Sequence, residues 1–304
     1  MPPLIRAANL TKHYGSVHAV DGLSLEVQEG EIFGMVGPNG AGKTTTIECL
    51  EGLRRADSGS LEVLGRDPAT ARASLAEVIG IQLQQSSLPP RLRVGEAVAL
   101  FRAQYARRAD ADALLGRLGL TEKKRAPIGT LSGGQRQRLF IVLALINQPR
   151  LVFFDELTTG LDPQARRSMW DLVREIRDGG CTVFLTTHFM EEAERLCDRV
   201  AILDHGAIVA VDTPQALIRS LGLGRRLVFT LPPGLMPPGQ WEPAGVEKVE
   251  IDGNRVTVQG KGERFASSVV TALEKSGVPF LDLWTEQPTL EDVFLALTGR
   301  QMRE

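Results

Sequence analysis

The eight residues Gly37-Pro38-Asn39-Gly40-Ala41-Gly42-Lys43-Thr44 stand between an apolar run, Glu31 to Val36, and a helical pattern, Thr45 to Leu50. A G-x-x-x-x-G-K-[ST] spacing in that setting predicts a buried strand, a loop wrapped around phosphate and a helix, in that order. Glycine has no side chain to intrude. Gly37, Gly40 and Gly42 let successive N–H groups point inward around closely spaced negative charges, and the start of the helix adds its positive end. Lys43 supplies a mobile positive charge. Thr44 offers a hydroxyl to the metal that accompanies the phosphates, which at an oxygen-rich site is magnesium. Pro38, Asn39, Ala41 and Thr45 are counted with the nucleotide-binding residues. Taken alone, the stretch also reads as a Gly-rich turn opening an ordinary helix, so the rest of the chain has to decide.

At 304 residues the chain is longer than one core usually supports, which points to two domains. Thirty-five Lys and Arg against 37 Asp and Glu leave a net charge of −2, so no nucleic-acid partner is expected from electrostatics. The local basic clusters Arg54-Arg55, Arg107-Arg108, Lys123-Lys124-Arg125 and Arg166-Arg167 read as solvated faces or loops, with partner contact the alternative. Cys49, Cys181 and Cys197 are an odd count without metal-type spacing, and reduced thiols in the cytosol fit them best. The opening Met-Pro-Pro-Leu-Ile-Arg lacks an export signal, and the apolar run Phe140 to Ile146 is far short of a bilayer span. Any membrane role is therefore expected to run through a partner.

Up to about residue 220, apolar strand-like runs alternate with helical patterns, the signature of an α/β layered domain around a largely parallel sheet. Leu151 to Phe154 and Cys181 to Leu185 read as buried strands. Between them, Pro163 to Arg177 reads as a helix capped by Asp162 and closed near Gly179-Gly180. Around residues 222–245 the pattern breaks at Gly222-Leu223-Gly224 and Pro232 to Gly239, which marks a linker and a long turn. Beyond it, short β-like runs (Arg226 to Leu231, Val246 to Ile251, Arg255 to Gln259) and helical stretches (Glu263 to Lys275, Thr289 to Leu297) predict a small α+β domain.

Asp155 and Glu156 directly follow four apolar residues, so two carboxylates emerge at the carboxyl end of a buried strand, where open α/β sheets bind ligands. Alone they read as a strand followed by a cap. Beside a phosphate loop they read as a support for magnesium through its water shell, Asp155, and a base for a water aimed at the terminal phosphate, Glu156. Leu131-Ser132-Gly133-Gly134-Gln135 precedes a helical pattern running from Arg136 into Leu145, and a Ser-Gly-Gly turn there is a second anion site or simply a capped helix.

With these motifs in this order, the chain resembles the nucleotide-binding subunit of an ABC transporter, and Leu131 to Gln135 match that family's signature motif as they stand. The resemblance covers roughly residues 4–220. It implies an α/β P-loop NTPase (ABC ATPase) domain with a helical signature subdomain over residues 1–220, and a linker with a small C-terminal α+β accessory domain over residues 221–304. It also implies ATP and magnesium as ligands, and a head-to-tail dimer in which Ser132, Gly133, Gly134 and Gln135 of one copy complete the ATP site of the other. Tyr14 matches the residue that stacks on adenine, and Gln84 the glutamine that touches magnesium and senses the membrane partner, with Gln82 and Gln85 crowding the same loop. Thr159 to Asp162 match the loop that crosses the dimer interface. His188 matches the histidine that holds the terminal phosphate and joins Lys43 and Glu156 as a catalytic residue; Thr44, Gln84 and Asp155 serve the metal.

Two departures, Leu157 where proline is common and an apolar Phe140 to Leu145 where an arginine is usual, remove no phosphate or metal ligand. Together with Thr187 to Val200 and Thr289 to Thr298, they resemble ATP-binding subunits of bacterial ABC-2 type exporters, including the daunorubicin-resistance kind. That implies an ATPase at the cytoplasmic face of the membrane, peripheral through a separately encoded permease docked near Leu92 to Tyr105. Two other readings stay open: a soluble ABC clamp on ribosomes or DNA, against which stand the single cassette and the absence of heptads, and an exporter of lipid or polysaccharide.

Overall fold

The structure is a computed structural model and describes residues 2–82, 87–222, 224–232, 234, 244–262 and 264–300. These residues form two compact units, one ending at Pro214 and the next beginning at Gln215.

The first unit holds two sheets. Strands β1 (Ile5–Tyr14), β2 (Val17–Val27) and β4 (Ser58–Val63) make an antiparallel sheet in the order β2-β1-β4. The second sheet takes β3 (Ile32–Val36), β5 (Ile79–Gln82), β6 (Leu151–Asp155), β7 (Thr182–Thr187), β8 (Arg199–Asp204) and β9 (Ala207–Asp212) in the order β5-β6-β7-β3-β8-β9. Its first five strands are parallel and β9 turns back antiparallel on β8. The expected largely parallel sheet is therefore this one, while the first sheet is antiparallel throughout. Every residue of β3, β6 and β7 is buried, as strands covered on both faces require, and this is why their sequences read as largely apolar, with the polar Asp155, Thr186 and Thr187 at their carboxyl ends.

The parallel register does the positioning. Val36 lies opposite Thr187 and Asp155 opposite Thr186, so the chain leaves β3, β6 and β7 along one edge of the sheet. Helix α1 (Lys43–Leu50) follows β3, and the short α2 (Arg72–Ala76) precedes β5. Between β5 and β6 the chain departs into α3 (Val94–Arg102), α4 (Ala111–Arg117) and α5 (Gly133–Leu145), with α3 and α4 both packed on α5. This is the helical subdomain.

Its attachment to the sheet is tight. A Cβ at Gly80 in β5 would stand 2.0 Å from the carbonyl oxygen of Ala144 near the end of α5, so only glycine fits there. Just beyond α5, the Asn147 amide donates to the carbonyls of Ala76 (3.1 Å) and Ile79 (2.7 Å), fixing the same end again.

Helix α6 (Pro163–Asp178) starts as its sequence dictates. The Asp162 carboxylate accepts from the backbone N–H of Gln164 (3.0 Å) and Ala165 (2.9 Å), proline occupies the first turn, and Gly179 closes the helix. Met169, Trp170, Leu172, Val173 and Ile176 form its buried face at helical spacing, each worth roughly 1.5–3 kcal/mol of burial. Helix α7 (Met190–Leu196) follows β7, and α8 (Pro214–Ser220) opens at the boundary between the units.

The second unit is an antiparallel sheet of β10 (Arg225–Thr230), β11 (Val246–Asp252), β12 (Arg255–Gly260) and β13 (Leu281–Glu286), in the order β11-β12-β10-β13, with α9 (Phe265–Ser276) and α10 (Leu290–Thr298). Its core gathers Leu227 and Phe229 of β10, Val256 and Val258 of β12, and Phe265 and Val269 of α9.

Candidate functional site

At the centre of the second sheet, Gly37 to Gly42 link the carboxyl end of β3 to α1. Gly42 caps the helix at φ 102°, a conformation closed to L side chains, and a Cβ there would stand 2.1 Å from the carbonyl oxygen of Ala19. The loop is braced from the side by Gly206, whose N–H donates to the Ala41 carbonyl at 3.0 Å. Ala41 is buried and Pro38 half-buried, while Asn39 and Gly40 face solvent. Lys43 is buried, and its ammonium folds back to donate to the carbonyls of Gly37 (2.7 Å) and Pro38 (3.1 Å). Burial lowers its pKa, against the opposing pull of Glu156 and Asp155. Thr44 is exposed and Thr45 half-buried in the first helical turn.

Asp155 ends β6, buried, and accepts a short hydrogen bond from the Thr186 hydroxyl across the strand pair. Burial raises its pKa, and the Thr186 bond opposes the rise. Glu156 sits at φ 50°, a left-handed conformation costing an ordinary residue about 1–3 kcal/mol. Its N–H donates to the carbonyl and hydroxyl of Thr186, both at 3.1 Å. The carboxylate it carries lies 3.9 Å from the Lys43 ammonium and 3.4 Å from His188 Nδ1, and accepts from the Thr159 hydroxyl at 3.3 Å. Lys43, Glu156 and His188 thus converge, and the strained backbone sits at the residue whose carboxylate joins them. His188 packs on Phe189 at 4.1 Å between ring centroids, and the Arg166 guanidinium covers the other aromatic ring at 4.2 Å.

The Ser-Gly-Gly turn lies elsewhere. Ser132 caps α5 in a capping box with Gln135, its hydroxyl accepting from the Gln135 N–H at 3.3 Å. Ser132 to Gln135 share a surface cavity of about 390 Å³ with Arg138 and with Gly160, Leu161 and Asp162 of the loop before α6; none of its lining residues belongs to the phosphate loop. A Cβ at Gly133 or Gly134 would meet nothing within 4 Å, and neither has positive φ.

Tyr14 ends β1 as an exposed residue, with Lys12 (5.7 Å) and Arg54 (5.2 Å) over its ring. Gln84 and Gln85 lie outside the described residues. Gln82 ends β5, buried, and lines an apolar groove of about 490 Å³ with Leu53, Ile79, Leu88, Phe101 and Phe140. Leu157 is buried, so the departure from proline fills core space rather than touching the site.

Two buried carboxyls escaped the sequence. Glu192, in α7, accepts from the Trp170 indole N–H at 3.0 Å and ties α7 to α6 below His188. Glu51 directly follows α1 with 2% of its surface exposed, and neither carboxyl oxygen has a hydrogen-bond partner among the described residues. Neither stands in a motif, and a lone Glu in a charged stretch carries no sequence signal of burial. Burial, then the nearby Asp155 and Glu48, push the Glu51 pKa from its ordinary 4.5 to about 9. A folded-state value above the unfolded one means the native chain holds a proton that the unfolded chain releases. Stability from this group is thus greatest below about pH 4.5 and falls as pH rises toward 9, by up to ~1.4 kcal/mol per pH unit. Glu51→Gln should flatten that slope: in urea unfolding it gains about 3 kcal/mol on wild type at pH 8.5 over its value at pH 6. An equal difference at both pH values would mean that Glu51 ionises in place.

Residues 20–159 match the family model described as ABC transporter. The chain is 40% identical over 313 residues, covering all of both chains, to "Nod factor export ATP-binding protein I" of Cupriavidus metallidurans. It is 38% identical to "Daunorubicin resistance ATP-binding protein DrrA3" of Streptomyces coeruleorubidus, over 96% of this chain and 95% of that one. Among solved structures it is similar to a dimeric bacterial ABC transporter cassette, at TM-score 0.61 and 26% identity over 69% of this chain and 98% of the other.

Proposed function

The chain belongs to the ABC transporter family of ATP-binding proteins, and from that premise we propose that it is the ATP-hydrolysing subunit of an exporter. In this reading two copies join head to tail beneath a separately encoded membrane permease, at the cytoplasmic face. The observation that carries the pairing is the separation of the Ser132–Gln135 cavity from the phosphate loop, with open space beside Gly133 and Gly134 at the start of α5. A two-fold arrangement completes both sites at once. The dimeric cassette among the similar structures supports it.

The site fits a nucleoside triphosphate. Gly42 turns the loop into the helix at a φ that L side chains rarely adopt, packed against the Ala19 carbonyl, the helix start faces the loop, and the Lys43 ammonium, held by loop carbonyls, is free to exchange them for phosphate oxygens. Thr44 and Asp155 would hold the magnesium that accompanies the nucleotide, and that ion would neutralise phosphate charge. Glu156 takes the proton of the attacking water, His188 holds the terminal phosphate, and Tyr14 offers its exposed face to adenine. Residues 1–220 carry this work, and residues 221–304 form an accessory domain.

No helix among the described residues is long and apolar enough to cross a membrane. The apolar groove between β5, α3 and α5 is the surface we assign to the permease, beside the strand that leads to Gln84. The relatives named for Nod factor export and daunorubicin resistance support export as the direction. Affinity purification from native membranes is expected to bring down a multi-span membrane protein, and Phe101→Asp to lose it about tenfold or more while ATP binding by the isolated subunit persists. Recovery of ribosomes instead, or an unchanged yield from the variant, would sink the reading.

A further inference from the structure

Strands β1 and β2 close in a hairpin whose last pairs are His13 with His18 and Tyr14 with Val17. The two imidazoles stack with centroids 4.0 Å apart and planes 29° from parallel, so both rings stand on one side of the hairpin. Asp21 adds a carboxylate, and one donor atom from each of the three side chains lies within 4.8 Å of the others. All three residues are exposed, and the nucleotide site as built above uses none of them.

Two imidazoles and a carboxylate are a donor set for zinc and its neighbours, cobalt and nickel, whereas magnesium prefers oxygen alone. With zinc–nitrogen distances of 2.0–2.1 Å, two donors on one tetrahedral ion stand about 3.4 Å apart. Small rotations of exposed side chains close the remaining gap. The backbone need not move: the His13 N–H is held by Asp57 at 2.7 Å and the Asp21 N–H by the Gly206 carbonyl at 2.9 Å. Lys12, the nearest cation in sequence, is already paired with Asp57 at 2.7 Å.

We propose that His13, His18 and Asp21 form a binding site for a transition-metal dication of the zinc class, completed by water and separate from the magnesium position at Thr44 and Asp155. Its place gives it a consequence. Tyr14 directly follows His13, and the Ala19 carbonyl, directly after His18, is the oxygen against which Gly42 packs. Ligation would therefore stitch shut the hairpin that carries the adenine platform and braces the phosphate loop.

The untagged full chain, stripped of metal and free of nucleotide, is titrated with Co²⁺. The visible band of a four-coordinate cobalt complex is expected, displaced by Zn²⁺. His13→Ala and His18→Ala should each weaken binding about tenfold or more, Asp21→Asn less, and Thr44→Ala not at all. Imidazole NMR signals of His13 and His18 should shift together with Zn²⁺ in the unsubstituted chain, a reading that needs no variant to fold. Binding that survives loss of either histidine, or imidazole signals that ignore Zn²⁺ at micromolar concentration, overturns the proposal.

Discussion

Glu156→Gln should reduce ATP turnover by about 10³-fold while leaving nucleotide affinity intact or tighter. The carboxylate stands 3.4 Å from His188 and 3.9 Å from Lys43, so it has a neighbour on the base side and one on the phosphate side. Glutamine keeps the shape and the backbone bonds to Thr186 but cannot take a proton from water. It also removes a negative charge beside the phosphates, which favours the closed pair. Size-exclusion chromatography with ATP and magnesium should therefore show the variant as a dimer and wild type chiefly as a monomer after turnover. Hydrolysis within tenfold of wild type would remove Glu156 as the base, and His188 would be the next residue to test.

Gly134→Asp should have an effect of similar size by another route. A Cβ there meets nothing within 4 Å beyond the backbone of its own helix among the described residues, so the variant should fold and melt as wild type does. ATP should still bind, because the cavity of Ser132 to Gln135 contains no part of the phosphate loop. What disappears is the joining of copies: a carboxylate replaces open space where a phosphate is to dock, and like charges across an interface cost several kcal/mol. Hydrolysis should fall by at least about 10²-fold, and ATP should no longer dimerise Gly134→Asp in the Glu156→Gln background. Loss of ATP binding by the monomer would instead place the turn within its own chain's site.

How far the sequence discloses this molecule depends on which surfaces each segment covers. Strands β3, β6 and β7 were legible because burial on both faces leaves a largely apolar run, and the motifs attached to their ends were legible with them. The first sheet was not foreseen as antiparallel, since the β1–β2 register slips three times and blurs the alternation that would announce it. Strand β13 went unseen because it is an edge strand with Leu281, Leu283 and Trp284 largely exposed and Asp282 at φ 50°. The left-handed backbone of Glu156 and the buried, unpaired Glu51 leave no mark in the letters around them. Both depend on what other strands and helices bring alongside.

The glycine at position 80 has a mechanical meaning. It lets the end of α5 press against β5, where Asn147 ties it down, while Ser132 stands at the other end of the same 13-residue helix. At about 1.5 Å per residue the helix is a rod roughly 20 Å long, clamped at one end and loaded at the other. A tilt of about 3° at the clamp moves the tip by about 1 Å, a third of a hydrogen bond's length. The groove proposed for the permease lies at the clamp, so in the proposed dimer a small push there would be delivered, enlarged, to the turn proposed to close on the neighbouring copy's phosphate.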